Sequence, residues 1–302
     1  MFKSKNGMSR ALVRRETTAG YLFLLPSLFF FVTFVLYPMF LCIYTSFFDS
    51  NMGKNAVDVF VGLGNYKELF RDKFFLGALK NTVVIVVVAV PTVCAFSLWV
   101  ATAIYDMKPA LTSAFRCIFY LPVVTGSVAV TVVWKWMYNS RYGVFNYLFK
   151  SLGIIDQNIN WLGDARFALW CIILILFTTS VGQPIVLYVS ALGNVDHSLV
   201  EAAQVDGANR RQVFWKIKWA QIMPTTLYIL IITTINSFQC FALIQLLTSG
   251  GPTHSTDTIM YYIYYTAFKL YRYGYGNAMG VVLMIIIAVL SAVQFKLGQK
   301  SD

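Results

Sequence analysis

Long stretches of this sequence carry no charged side chain. Six runs of 18 or more residues lack Asp, Glu, Lys and Arg, at 17–48, 81–105, 117–134, 167–195, 219–256 and 273–295. A helix needs about 17 to 25 apolar residues to cross the roughly 30 Å hydrocarbon core of a bilayer, so each run is long enough. The runs show no alternation of the kind a membrane β-barrel needs, and backbone groups in lipid must bond within their own segment. The pattern therefore predicts an all-α protein with six transmembrane helices.

The spans and their connections divide the whole chain. We place the spans at 20–47, 82–104, 117–137, 167–192, 222–247 and 279–297. At one end of the bundle, segments 48–81, 138–166 and 248–278 are each about thirty residues long, which favours folded caps with surface helices over simple turns. At the other end, 105–116 is a short link and 193–221 is a longer loop. We expect a single membrane domain over residues 1–302.

Composition and charge agree with a membrane location. The chain is 58% hydrophobic and 12% charged, whereas about 25% of residues are charged in a soluble domain. Five basic residues precede the first span: Lys3, Lys5, Arg10, Arg14 and Arg15. Such a bias places that end in the cytoplasm, and six crossings then return the C-terminus, with Lys296 and Lys300, to the same side. We assign the net charge of +11 to anionic lipid headgroups and expect no nucleic-acid binding.

The loop 193–221 carries the signals of a short exposed helix. Ser198 and Glu201 have the spacing of a capping box, which satisfies the first free amides of a helix. Ala202 and Ala203 are small enough to let another surface come close. Gly207 tolerates the left-handed conformation that follows a helix end. The spacing predicts a helix that starts at Ser198 and stops at Gly207.

A second helix is predicted directly after this stop. Asn209 and Gln212 repeat the capping spacing, and the helix then continues toward the fifth span. The alternative is an amphipathic helix that rests on lipid headgroups, which Arg210, Arg211 and nearby lysines favour. The residue pattern alone leaves both interpretations open.

A family resemblance bears on this choice. Residues 201–224, EAAQVDGANRRQVFWKIKWAQIMP, resemble the EAA loop of ABC importer permeases, whose pattern is roughly EAAxxDGAxxxxxFxxIxxPxxxP. The matching positions are Glu201, Ala202, Ala203, Asp206, Gly207, Ala208, Phe214, Ile217 and Pro224. The sequence departs from the pattern at Ala220, where the family commonly has a first proline. The resemblance implies that Ser198 and residues 201–208 couple the spans to an ATPase subunit.

Three further segments narrow the branch of the family. They resemble the maltose and glycerol-phosphate type of sugar permease, specifically the first of its two permease subunits. The segments are residues 21–49 (YLFLLPSLFFFVTFVLYPMFLCIYTSFFD), 62–72 (GLGNYKELFRD) and 246–258 (LLTSGGPTHSTDT). The resemblance implies the type I importer architecture in a bacterial inner membrane. It also implies three kinds of protein partner: a second permease, two ATPase subunits and an external substrate-binding protein.

The chain carries no sequence pattern for its own chemistry. A G-x-x-x-x-G-K-[ST] loop for ATP phosphates is absent, so we expect ATP and Mg²⁺ on the partner subunits and no cofactor here. The two histidines, His197 and His254, fall on opposite sides of the predicted membrane and cannot share a catalytic or metal site. An ion-coupled secondary transporter commonly has a carboxylate within its spans, and all thirteen acidic residues lie outside the predicted span cores.

Polar residues within two spans are the candidates for substrate contact. Thr233, Asn236 and Gln239 recur on one face of the fifth span, and Thr179, Ser180 and Gln183 do so on the fourth. Pro184 is expected to loosen the fourth span there. We name Tyr188 and Phe238 as candidate stacking rings, although packing is the ordinary role of such residues. The alternative for the amides is interhelical hydrogen bonding.

The substrate itself is left open between two classes. Uncharged amides and aromatic rings suit a sugar or an oligosaccharide. A glycerol-phosphate-like compound or an acidic oligosaccharide is the alternative within the same importer class.

Overall fold

The computed structural model describes residues 10–50 and 58–299. Lys3, Lys5 and Lys300, on which part of the predicted orientation rests, lie outside these ranges. Fifteen α-helices occur within them: α1 (Arg10–Phe31), α2 (Tyr37–Thr45), α3 (Gly64–Leu69), α4 (Lys73–Ile104), α5 (Pro109–Val124), α6 (Ser127–Met137), α7 (Val144–Ser151), α8 (Ala168–Ser180), α9 (Gly182–Gly193), α10 (His197–Val205), α11 (Arg210–Val213), α12 (Trp219–Phe238), α13 (Ala242–Leu247), α14 (Ile259–Tyr264) and α15 (Tyr273–Gln299).

Shorter elements complete the described chain. Three π-helical turns extend neighbouring α-helices, at Val32–Leu36, Phe214–Lys218 and Tyr265–Lys269. Two strands of two residues, β1 (Phe48–Asp49) and β2 (Val59–Phe60), pair antiparallel with Phe48 opposite Phe60. This short hairpin is the only sheet among the described residues, and the predicted all-α class is confirmed.

Five helical segments are each long and apolar enough to cross a membrane: Glu16–Thr45, Lys73–Ile104, Ala168–Gly193, Arg210–Leu247 and Tyr273–Gly298. The sixth candidate is the pair α5 and α6, which is bent by 95° between Val124 and Ser127. Pro122 and Gly126 flank this bend, and the backbone of Thr125 is extended. The count agrees with six spans, with the third of them broken.

Several spans differ in extent from the predicted boundaries. At two of them, hydrogen bonds accompany the difference. Helix α4 starts at Lys73 rather than at residue 82, because the Asp72 side chain accepts a hydrogen bond from the Phe74 N–H at 2.8 Å and caps it. The predicted fifth span 222–247 is interrupted after Phe238 and resumes as α13. The carbonyl of Cys240 at this interruption accepts a hydrogen bond from Thr258 Oγ1 at 2.8 Å. That bond satisfies a backbone group that the helix no longer pairs.

The centre of the bundle is formed by α4, α9 and α12. Their buried apolar side chains make one cluster, in which Val93, Ile185 and Ile229 are almost fully covered. Helix α15 packs against α12 and α2. In contrast, the most apolar part of Glu16–Thr45 is not buried by the rest of the chain.

One end of the bundle, which we call the loop end, carries the three long connections. Each contains a short helix, α3, α7 or α14, as the segment lengths predict. Asp72 Oδ2 accepts hydrogen bonds from the hydroxyls of Tyr262 and Tyr275, both at 2.8 Å. These bonds join the start of α4 to α14 and α15. The opposite end, which carries α10, is called the elbow end below.

A sharp turn at 250–252 lies at the loop end. Gly250 has φ of +83°, and a Cβ atom there would lie 2.0 Å from Asp257 Oδ1. Thr248 and Thr256 share a hydrogen bond of 2.8 Å between their hydroxyls. Position 250 therefore requires glycine, both for its conformation and for the close approach of the buried Asp257.

Candidate functional site

The loop 193–221 folds as a helix, a turn and a second helix, which we call the elbow. Its first helix is α10, and the cap differs from the predicted one. Asp196 is the N-cap, because its Oδ1 accepts hydrogen bonds from the Ser198 N–H at 2.9 Å and from the Ser198 hydroxyl at 2.7 Å. The predicted capping box of Ser198 and Glu201 is therefore wrong. An aspartate two positions earlier supplies a charged acceptor, which is the stronger partner for free amides.

The charge state of Asp196 follows from these bonds. The Ser198 hydroxyl, and then the Ser198 N–H, lower the pKa of the Asp196 carboxyl below its ordinary value because they stabilise the ionised form. The Asp196 N–H in turn donates to Gln221 Oε1 at 3.1 Å, which ties the start of the elbow to α12.

The first helix of the elbow ends at Gly207, as predicted. Gly207 has φ of +83°. Its N–H donates to the carbonyl of Gln204 at 3.0 Å, and the N–H of Ala208 donates to the carbonyl of Ala203 at 2.9 Å. These two bonds form the Schellman motif, which requires a left-handed residue at this position. Gly207 thus redirects the chain at a defined angle.

The second helix of the elbow has the predicted capping box. Asn209 Oδ1 accepts from the Gln212 N–H at 2.9 Å, and Gln212 Oε1 accepts from the Asn209 N–H at 2.8 Å. From Val213 onward the chain continues through the π-helical turn into α12. The elbow is therefore joined to the fifth span by continuous helix.

The first helix of the elbow is mostly exposed, although its Val200 packs against the core cluster of α4, α9 and α12. It has no buried residue, and Glu201, Ala202 and Asp206 are exposed. Two apolar side chains are also uncovered, Leu199 at 51% and Val205 at 87% exposure. Ala203 and Ala208 are half-buried at the turn. This arrangement leaves an exposed small-residue and apolar face on a capped helix.

A cleft lies between the fourth and fifth spans and brings together most of the predicted polar residues. Its volume is about 160 Å³. Five lining residues are polar and uncharged: Thr179, Ser180, Gln183, Thr233 and Asn236. Their neighbours in the cleft are apolar or aromatic: Val123, Pro184, Leu187, Tyr228, Ile229 and Ile232. Ligand pockets usually measure about 300 to 1,000 Å³, so this cleft is small for a complete site.

Two amides in this cleft have no partner within the described part of the chain. The side chains of Gln183 and Asn236 are exposed and form no hydrogen bond among the described residues. The contrast within the same bundle is Gln294, whose Nε2 donates to Thr234 Oγ1 at 2.9 Å and links α15 to α12. Gln294 thus acts as an interhelical bond, whereas Gln183 and Asn236 keep their full hydrogen-bonding capacity.

Three predicted substrate residues fall outside the cleft. Gln239 follows the last residue of α12 and is exposed, but it does not line the cleft. Tyr188 is 0% exposed within the core of α4, α9 and α12, so its ring cannot stack on a substrate, and that prediction is wrong. Phe238 is likewise buried, at 1% exposure, in a second core cluster. A residue pattern does not show which helix face turns toward the core.

The fourth span is interrupted for one residue, Val181, beside the cleft. Pro184 lacks an N–H, as the sequence indicated, and the helix stops at Ser180 and restarts at Gly182. The carbonyl of Val181 at the break accepts from Ser97 Oγ at 3.2 Å. A Cβ on Gly182 would lie 2.3 Å from the Phe119 carbonyl oxygen. Sequence reasoning missed this contact, which brings α5 against α9 and places Val123 in the cleft.

Comparison with known proteins agrees with the fold. Residues 59–300 match the family model described as "binding-protein-dependent transport system inner membrane component". The multiple sugar-binding transport system permease protein MsmF of Streptococcus mutans is 32% identical, over 94% of this chain and 96% of that protein. The sn-glycerol-3-phosphate transport system permease protein UgpA of Agrobacterium fabrum is 28% identical, over 93% and 94%.

A solved structure has the same architecture. A chain of a bacterial alginate ABC transporter, solved with an alginate pentasaccharide-bound periplasmic protein, superposes with a TM-score of 0.81 over 95% of this chain and 96% of that one. Their sequences are 23% identical, and the likeness is one of fold. The family model covers most of this sequence, and the chain belongs to the family of binding-protein-dependent transport system inner membrane components.

Proposed function

We propose that this chain is one of the two permease subunits of an ABC importer that carries a sugar or an oligosaccharide. In this proposal the chain holds no ATP, and two partner ATPase subunits bind ATP with Mg²⁺. An external binding protein delivers the substrate at the loop end. Both termini and the elbow lie in the cytoplasm.

The observation that carries the substrate proposal is the uncharged cleft with its unpaired amides. Gln183 and Asn236 each offer both a donor and an acceptor, and so does every sugar hydroxyl. Each such bond contributes only about 0.5 to 1.5 kcal/mol net, because it replaces a bond to water. Several modest bonds hold a substrate firmly enough to select it and weakly enough to release it. An ion-coupled mechanism finds no support here, since no carboxylate lines the cleft.

The small volume of the cleft supports a paired permease. With about 160 Å³ it is smaller than an ordinary ligand pocket, and we interpret it as one wall of a path. A second permease supplies the opposite wall. Rocking of the two subunits opens the path to one side of the membrane and then to the other.

The elbow is the proposed contact with the ATPase. A contact that transmits force must be rigid, and α10 is capped at Asp196 and ended by the Schellman motif at Gly207. The contact must also admit a close neighbour, and Ala202 with the exposed Leu199 and Val205 provides such a face. Continuous helix from the elbow into α12 links this contact to the wall that carries Asn236.

Purification of the intact importer tests this proposal. The chain is isolated in mild detergent with the proteins that accompany it, and the ligand retained by the binding protein is identified by mass spectrometry. We expect this chain, a second permease, two copies of an ATPase and a neutral sugar or oligosaccharide. A complex with two copies of this chain and no second permease, or a retained amino acid or metal ion, would contradict the proposal.

A second substrate class, the acidic oligosaccharides, is favoured by Arg116. Because α5 begins at Pro109, Arg116 lies within the third span rather than before it. It lies seven positions before Val123 and therefore on the same helix face, about 10 Å farther toward the elbow end. Its Nε is buried without a hydrogen-bond partner among the described residues. If the substrate is acidic, Arg116→Gln lowers uptake of that substrate; if it is neutral, uptake stays at the wild-type rate.

A further inference from the structure

A side-chain contact joins the elbow to the longest helix of the bundle. Tyr105 follows the last residue of α4, and Lys218 ends the π-helical turn that leads into α12. Lys218 Nζ lies 4.6 Å from the centre of the Tyr105 ring and donates a hydrogen bond to its hydroxyl. The two residues are 113 positions apart in the sequence. The contact therefore links two elements that the chain itself does not hold together.

The surroundings of this contact restrict the movement of both side chains. Tyr105 and Lys218 are both half-buried. Tyr105 packs against the core cluster of α4, α9 and α12, and so do Phe214 and Trp219 on either side of Lys218. A hydrogen bond from a charged donor is stronger when water is partly excluded. A displacement of the π-helical turn would therefore displace the end of α4 as well.

The charge state of Tyr105 suits this role. Burial, followed by a hydrogen bond involving Asp106 and the nearby negative charge, raises the pKa of Tyr105, and Arg210 opposes the shift. The ring is thus neutral at physiological pH and acts as an acceptor toward Lys218. Arg210 belongs to the elbow, so a second elbow residue lies close enough to influence Tyr105.

Helix α4 reaches both walls of the cleft. It packs along α9, which carries Gln183, and along α12, which carries Asn236. Continuous helix already connects the elbow to α12. Helices α4 and α12 pack along each other beside the cleft, and the contact of Lys218 with Tyr105 extends this pairing to the elbow. A displacement of the elbow would then move the end of α4 together with α12 and change the shape of the cleft.

Resting on the proposed coupling function of the elbow, we infer that Lys218 and Tyr105 are positioning residues which transmit the movement of the elbow to α4. Neither residue lines the cleft. They determine how much of each ATP hydrolysis cycle becomes movement of the cleft.

The test measures transport per ATP hydrolysed in vesicles that contain the complete importer and its loaded binding protein. Lys218→Met removes the cation, Tyr105→Phe removes only the hydroxyl, and Lys218→Arg keeps the cation. Lys216→Met is the matched control, because Lys216 is exposed on the same turn. We expect the ratio for Lys218→Met to fall on the order of fivefold to tenfold, the lower end of the range of typical coupling energies. We expect a smaller fall in transport per ATP for Tyr105→Phe, because the ring remains. The ratios for Lys218→Arg and Lys216→Met should stay near the wild-type value.

Retention of the ATPase separates this inference from the coupling proposal itself. Pull-down of the ATPase by Lys218→Met should equal that of the wild-type chain, with hydrolysis that no longer depends on the loaded binding protein. A wild-type ratio for Lys218→Met overturns the inference, and so does an equal fall for Lys216→Met. Loss of ATPase binding by Lys218→Met also overturns it, since the contact would then hold the elbow rather than transmit its movement. Failure of the wild-type chain to retain any ATPase refutes the coupling proposal instead.

Discussion

Single residues at close contacts determine the shape of this bundle. At Gly182 the backbone of α9 approaches the Phe119 carbonyl so closely that a Cβ would lie 2.3 Å from its oxygen. At Gly193, on the same helix, a Cβ would meet nothing within 4 Å. The two glycines share a helix and differ in what surrounds them. They therefore separate the effect of packing from the effect of helix propensity.

We predict that Gly182→Ala destabilises the protein and Gly193→Ala does not. Forcing extra atoms into a packed contact costs about 1 to 3 kcal/mol, and here the neighbour is backbone that cannot rotate away. Thermal unfolding followed by tryptophan fluorescence in nanodiscs should show a lower midpoint for Gly182→Ala alone. Equal midpoints for the two variants would show that α5 does not rest on Gly182.

Asp196 gives a second prediction at this scale. Asp196→Ala should increase amide hydrogen exchange at the start of α10, whereas Glu201→Ala should leave it unchanged, because Asp196 alone caps the helix. The lowered pKa of Asp196 sets the pH dependence. The contribution of the ionised Asp196 cap to the stability of α10 is complete above the ordinary aspartate pKa of about 3.9. It is lost as the pH falls through the lowered pKa. Increased exchange in Glu201→Ala instead would restore the capping box that the sequence suggested.

At the scale of elements, the apolar runs are sufficient to locate the spans, because a helix that crosses the bilayer needs about 17 to 25 predominantly apolar residues. They do not predict the 95° bend between α5 and α6. Pro122 and Gly126 permit a bend, but its angle depends on how α5 packs against α9. The candidate substrate residues show the same division. Polarity is sufficient to select Gln183 and Asn236 as candidates, whereas the burial of Tyr188 depends on packing between three helices.

The elbow carries the prediction at this scale. Gly207→Val places a branched side chain in a left-handed conformation, which costs about 1 to 2 kcal/mol or more. We expect the variant to insert with the second permease but to lose ATPase association or substrate-stimulated hydrolysis. Gly207→Asn is the control, since asparagine tolerates this conformation. Wild-type pull-down and hydrolysis for Gly207→Val would favour the alternative in which α10 rests on lipid headgroups.

At the scale of the whole molecule, two features point to partners. The apolar surface of Glu16–Thr45 is uncovered by this chain, and the cleft is too small for a complete ligand site. The elbow and the cleft lie at different depths of one bundle and share α12. We propose that they form one half of a substrate path whose shape changes when the elbow moves. In this proposal the substrate passes along the polar residues of the cleft.

Uptake by vesicles that contain the complete importer, with the ligand recovered from its binding protein, tests this claim most directly. Asn236→Ala and Gln183→Ala should each lower ATP-dependent uptake by about twofold to tenfold, since one modest hydrogen bond is worth roughly 0.5 to 1.5 kcal/mol. Gln239→Ala is the matched control, an exposed amide next to α12 but outside the cleft, and it should transport at the wild-type rate. Wild-type uptake by both Asn236→Ala and Gln183→Ala would show that the substrate does not pass along this cleft.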